Sequence, residues 1–143
     1  MRVWVGVAVG VAVGAVGLWA WPKGRAIDPA NARQVEQGRA LYAQHCASCH
    51  GAPGHPPMVA RSPLGLSSLL WNRYRPYNLL RTILDGIWQP AFPEIGHMPA
   101  FRHALDDAQI TALAAWMRQR YAPGQPPWPD LTAAVARLRA APP

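Results

Sequence analysis

Cys46-Ala47-Ser48-Cys49-His50 is the stretch on which the reading of this chain turns. The 143 residues contain no other cysteine. A structural disulfide usually spans a wider interval, because a cross-link closing a tiny loop removes little unfolded-state entropy. The pair therefore points to chemistry. Two thiols three positions apart at a helix end can add to the two vinyl groups along one edge of a haem. The next residue, His50, then lies under the iron and donates an imidazole nitrogen. C-x-x-C also occurs in zinc and dithiol sites. Zinc takes four ligands, and no second cysteine pair is present. A redox dithiol opens a helix beside a strand pattern, whereas this motif closes a helix in a chain with little strand signal. The motif thus predicts one covalently attached haem c, with Cys46 and Cys49 as the links and His50 as the proximal iron ligand.

Working outward, Asp28 can cap a helix and Pro29 suits its first turn. Val35, Gly38, Leu41, Tyr42 and His45 then recur at helical spacing up to Cys46. Residues 51–63 are rich in Pro and Gly and read as loop. Apolar positions 79, 80, 83, 84 and 87 predict a short helix over Tyr77 to Ile87, followed by loop from Gln89 to Phe101. A last core helix is expected from Asp106 to about Arg120. Asp106 with Gln109 forms a capping box variant, Leu105 with Ile110 a hydrophobic staple, and Ile110, Leu113, Ala114 and Met117 share one face. A Pro-rich hinge, Pro123 to Pro129, leads to a short helix over Asp130 to Arg139.

The distal iron ligand has six candidates: His55, Met58, His97, Met98, His103 and Met117. Met117 sits inside a helix, and His55 and Met58 follow His50 too closely to reach the opposite face easily. His103 reads as loop or surface. Pro99 biases Met98 towards an extended conformation, in which successive side chains point to opposite sides. His97 and Met98 therefore cannot both face the iron, and pattern alone leaves the two open. Trp71, Arg73, Tyr74, Arg75 and Tyr77 could wrap a haem edge and its propionates. Trp88 and Phe92 are expected as walls shielding the haem from water.

Residues 34–121 resemble a bacterial class I cytochrome c domain. The resemblance rests on G-x-x-L-Y-x-x-x-C-x-x-C-H-G (Gly38 to Gly51), N-L-L-R-T-I-L-D-G-I (Asn78 to Ile87), M-P-x-F (Met98 to Phe101) and L-D-D-x-x-I-x-x-L-A-x-W (Leu105 to Trp116). It implies that Met98 is the distal ligand. It also implies that Gly38 on the first helix lets Trp116 of the last cross at close range. The chain is further similar to the last haem domain of cytochrome subunits serving membrane-bound alcohol and aldehyde dehydrogenases. Those subunits typically carry three haem motifs, and this chain has one.

Fourteen Lys and Arg stand against seven Asp and Glu, a formal charge of +7, and all but Lys23 of the basic residues are Arg. They are scattered singly, without the basic run or recognition helix of a nucleic-acid binder. An acidic protein partner or an anionic lipid surface is the better match. Val3 to Trp21 carries no charged or strongly polar side chain. Nineteen helical residues rise about 28 Å, close to a hydrocarbon core of roughly 30 Å. Leu18-Trp19-Ala20-Trp21 places bulky residues where a signal cleavage site wants small ones, and Trp4, Trp19 and Trp21 sit where interfacial aromatics belong. The segment is expected to be an uncleaved anchor. Gly6, Gly10 and Gly14 lie on one smooth face of it. Lys23 and Arg25 beyond the span would by charge alone keep the body in the cytoplasm. Covalent haem attachment favours the opposite side, which is the placement expected.

The expected architecture is all-α: a cytochrome c-like helical domain around one covalent haem, preceded by an N-terminal transmembrane helix. Residues 1–25 form the anchor and its flank, 26–121 the cytochrome domain, and 122–143 a Pro-rich tail with a short helix. That tail is expected to dock on a partner protein. The function expected is electron transfer without substrate chemistry, in a bacterial inner membrane with the haem domain facing the periplasm. The partners expected are redox proteins, a dehydrogenase or oxidase complex.

Overall fold

The predicted first helix forms as α1 (Pro29–His45), with Pro29 in its first turn. The computed structural model describes residues 29–52, 68–72, 75–88 and 97–142. The expected anchor, the Asp28 cap and most of the 51–63 loop lie outside them. Among the described residues no helix is long and apolar enough to cross a membrane. The chain turns at Cys46 into a single helical turn, α2 (Ala47–His50). Among the described residues three further helices follow: α3 (Ser68–Trp71), α4 (Tyr77–Asp85) and α5 (Asp107–Tyr121). A sixth, α6 (Leu131–Ala140), closes the chain. The only extended pairing among the described residues is one antiparallel bridge, Ile87 to Met98.

α1 packs chiefly against α5. Leu41, Tyr42 and Cys46 are buried on the facing stripe of α1, and Val35 is partly buried beside them. Gly38 makes the crossing possible. A β-carbon there would overlap the Ala112 carbonyl and come within 2.7 Å of the Trp116 β-carbon. The close approach implied for Gly38 and Trp116 is therefore present. α5 starts with the full capping box, in which the Asp106 carboxylate accepts from the Gln109 N–H and the Gln109 side chain accepts from the Asp106 N–H. Its burial is wider than one face. Ile110, Leu113, Ala114 and Met117 are buried, and so are Thr111, Ala112, Trp116 and Arg118, because α1, α3, α4 and α6 all pack on it.

α4 buries Leu79, Leu80, Ile83 and Leu84, four of the five predicted positions. The fifth, Ile87, is 41% exposed and lies beyond the helix. Gly86 ends α4 with φ +74, a left-handed conformation that turns the chain out of the helix before Ile87 is reached.

The tail corrects an expectation. It does not stand free for a partner. Trp128 is 5% exposed, Ala134 and Val135 are buried in the same core as α1, α4 and α5, and α6 packs on both α4 and α5. The reason is a buried cation that the pattern did not reveal. Arg118 on α5 donates to the carbonyls of Leu70 on α3 and, at 3.1 Å, of Pro126. Its guanidinium stacks 4.5 Å from the Trp128 ring, and the Trp128 indole N–H donates to the Asn72 carbonyl at 2.6 Å. A cation over an indole face and a satisfied N–H give this aromatic a local pocket.

Candidate functional site

Cys46, Cys49 and His50 share the turn formed by the end of α1 and by α2. The helical hydrogen bonding runs through the corner, with the Cys46 N–H on the Tyr42 carbonyl and the His50 N–H on the Cys46 carbonyl, both at 2.9 Å. The motif keeps helical geometry although Cys46 itself leaves the helix. Both cysteines are free thiols, Cys46 buried and Cys49 exposed. Burial, with the Cys49 charge in second place, pushes the Cys46 thiol up to about 11. Burial also lowers the His50 pKa, so the imidazole is held neutral, the form in which a ring nitrogen can bind a metal. His50 Nδ1 is buried without a hydrogen-bond partner. Among the described residues no three of His, Cys, Asp and Glu come together as a metal cluster.

Tyr42 is the member of this site that the pattern did not assign a role. Its hydroxyl donates to the Gly51 carbonyl at 2.7 Å, tying α1 to the residue that follows His50. The ring lies 4.6 Å from Trp116 and 5.9 Å from Tyr121, while Trp116 and Tyr121 are 5.7 Å apart. Burial foremost, then Tyr121, raises the Tyr42 pKa far above the usual phenol range, so the hydroxyl stays a donor. Its position four residues before Cys46, on the same helix face, was the available signal.

The Met98 loop is held from behind by α4. Met98 and Ile87 exchange two backbone hydrogen bonds at 3.2 and 2.9 Å, and the N–H groups of Phe101 and Arg102 bond the Ile83 and Leu84 carbonyls at 3.0 Å. A β-carbon on Gly86 would lie 2.5 Å from the Met98 carbonyl oxygen. The two candidate neighbours separate as extended backbone demands. Met98 is partly buried and packs on the core, whereas His97 is exposed. Phe101 is buried, with its ring 5.9 Å from that of His45 on α1. His103 is exposed and Met117 is core, as expected. His55 and Met58 lie outside the described residues, as do Arg73, Tyr74 and Phe92. Trp88 is 67% exposed. Its indole N–H donates to the Asp85 carbonyl at 3.1 Å and its ring lies 6.1 Å from His97, on the rim of the same loop.

Residues 33–117 match the family described as cytochrome c oxidase, cbb3-type, subunit III. A nicotinate dehydrogenase subunit of Pseudomonas putida is 34% identical over 108 residues, covering 76% of this chain and 9% of that protein. Dihydro-heme d1 dehydrogenase of Pseudomonas aeruginosa is 37% identical over 91 residues, 64% of this chain and 16% of its own length. The cbb3-type cytochrome c oxidase subunit CcoP of Azospirillum brasilense is 29% identical over 91 residues, 61% of this chain and 28% of its own. The chain therefore spans less than a third of the length of each of these relatives.

Proposed function

The chain belongs to the cytochrome c oxidase, cbb3-type, subunit III family, and from that premise we propose that Cys46 and Cys49 bind its haem c covalently while His50 and Met98 hold the iron. Domains of this family carry covalently attached haem c and pass electrons; they transform no substrate. The chain is accordingly an electron carrier. When bound, haem c supplies a one-electron ferric–ferrous couple.

The observation that carries the residue assignment is the α1–α2 turn. It presents two free thiols three positions apart and, directly after them, a buried imidazole kept neutral and short of one hydrogen-bond partner. That donor set suits a haem. Thiols form the thioether links, and a neutral imidazole donates to iron. Tyr42 fixes the turn from one side. Met98, partly buried on a loop pinned to α4, offers a thioether from a second element, and a His/Met pair leaves no open iron position and favours the ferrous state. The shielding role expected of Trp88 and Phe92, and the contribution of Trp71, Arg73, Tyr74, Arg75 and Tyr77 to the haem edge, belong to the same proposal.

The finer placement belongs to the same reading. Residues 3–21 anchor the chain in a bacterial inner membrane, with the haem domain on the periplasmic side. The donor or acceptor is a dehydrogenase or oxidase complex, in keeping with the names of the similar proteins. The test is direct. Denatured protein on a gel should keep haem-dependent peroxidase stain, and Cys46→Ala with Cys49→Ala should abolish it. Covalent haem in that double variant would overturn the assignment. A high-spin ferrous form that binds carbon monoxide at once would overturn the His/Met pair.

A further inference from the structure

α6 lies beyond the residues that match the family, which end at 117, yet it is fastened to the Met98 loop more tightly than packing alone requires. The fastening is reciprocal. The Arg102 guanidinium donates to the Arg139 carbonyl at 2.6 Å, and the Arg139 guanidinium donates to the Arg102 carbonyl. Arg102 also reaches the Leu138 and Ala141 carbonyls at 3.4 Å. These carbonyls belong to the end of α6, where the last C=O groups lack helical partners and the helix dipole is negative. Arg139 additionally binds the Leu105 carbonyl at 2.7 Å and the Asp107 carboxylate.

A third layer ties this clasp to α4. One Asp85 oxygen accepts from Arg102 at 2.5 and 2.9 Å, and the other accepts from Arg81 at 3.1 Å. Arg81 also donates to the Pro142 carbonyl at 2.7 Å. Asp85 is the last residue of α4, two positions before Ile87, which carries the Met98 bridge. The Met98 loop is thus pinned at Met98 by Ile87, just beyond α4, and clamped by α6 four residues later. Removing the clamp would leave the loop with its backbone bonds to Ile83, Leu84 and Ile87 and with the packing of Met98 and Phe101 on the core.

We propose that α6 is a strap that holds the Met98 loop in place, with Arg102 as its positioning residue, so that docking of the C-terminal helix sets how firmly the Met98 thioether stays on the iron. The inference rests on Met98 as the distal ligand. A strap of this kind makes the ligand, and with it the redox potential, responsive to whatever loosens the end of the chain. A thioether favours ferrous iron, so its loss from a fraction of molecules lowers the midpoint potential.

The test uses the full-length holoprotein at a temperature well below unfolding. Arg102→Gln should lose most of the ferric sulfur–iron absorption band and shift the potential downward, while the covalent haem stain and the far-ultraviolet helix signal persist. Arg102→Lys, which keeps a charge for Asp85 but not the fork, should recover part of the band. Val135→Asp detaches α6 by an independent route, through a fully buried position, and should reproduce the loss. Arg39→Gln, which breaks an exposed ion pair with Glu36 on α1, should change neither readout. An unaltered band and potential in Arg102→Gln would overturn the proposal; if that variant does not fold, the same result in Val135→Asp would do so. Met98→Ala separates the two readings. If it keeps the band, the ligand assignment itself is wrong; if it loses the band while the strap variants keep theirs, only the strap is.

Discussion

Gly86 has no side chain at the one point where the Met98 carbonyl passes closest to the end of α4. A β-carbon would lie 2.5 Å from the Met98 oxygen and 2.9 Å from the Ala100 nitrogen, and the residue already sits at φ +74. Gly86→Ala therefore meets backbone on one side and a disfavoured left-handed conformation on the other. It should cost about 1–3 kcal/mol in stability. The loop must also move away, so the ferric sulfur–iron band should weaken at a lower temperature than in the parent, as optical melting would record. A melting curve identical to the parent would refute the close approach.

Gly38→Ala makes a second steric demand, between α1 and α5. Its β-carbon would overlap the Ala112 carbonyl and crowd Trp116. Overpacking against backbone costs about 1–3 kcal/mol, occasionally more. Thermal unfolding of the holoprotein should register the loss. Gly38→Ser should be no better, since the obstacle is the β-carbon itself.

Met98→His should lower the midpoint potential substantially, because imidazole replaces a soft thioether that favours ferrous iron. His97→Ala should shift it little, since His97 is exposed on the far side of the same extended backbone. Potentiometric titration of both variants ranks them, and the reverse order would exchange the two roles.

Trp128→Ala should behave as a core truncation. The side chain is 5% exposed, and its loss removes the stacked partner of Arg118 and the bond to Asn72. The expected cost is about 3–5 kcal/mol. Truncation after Tyr121 should destabilise further. A truncated chain with parent-like melting would restore the idea of a free tail.

Acid should weaken the α4–α6 junction through Asp85. Burial by itself raises this carboxyl, but the hydrogen bonds from Arg102 and Arg81 outweigh it and hold the pKa below the ordinary carboxylate value. A carboxyl lowered in the folded state contributes stability that is fully present above its unfolded pKa, about 3.9, and is lost as pH falls through the folded value. Asp85→Asn should therefore be less stable than the parent at neutral pH, and the gap should close below about pH 4. Denaturant titrations at several pH values would measure it; a gap independent of pH would mean that Asp85 acts by shape alone.

The Cys46–His50 turn, α1, α4, the capping box of α5 and even α6 were legible in the sequence, because each is specified locally. Spacing of three residues, a 3.6-residue apolar repeat and an Asp cap depend on neighbours within one or two turns. Ile87 escaped that logic. Its place in the apolar repeat argues for helix, and only the left-handed Gly86 beside the Met98 backbone takes it out. The opposite facing of His97 and Met98 followed from Pro99, but the side that faced inward did not, since it depends on which strand-like partner the loop meets. Ile87 supplied that partner. The docking of the tail was hidden for the same reason. Leu131, Val135 and Leu138 announce a helix with one apolar stripe, and the stripe alone does not name its surface. Its fastening comes from Arg118, Asp85 and Arg102, whose partners lie 48, 17 and 37 positions away along the chain. A charged side chain becomes a core element only when carbonyls and a ring from distant segments converge on it, and that convergence exists only in the folded chain.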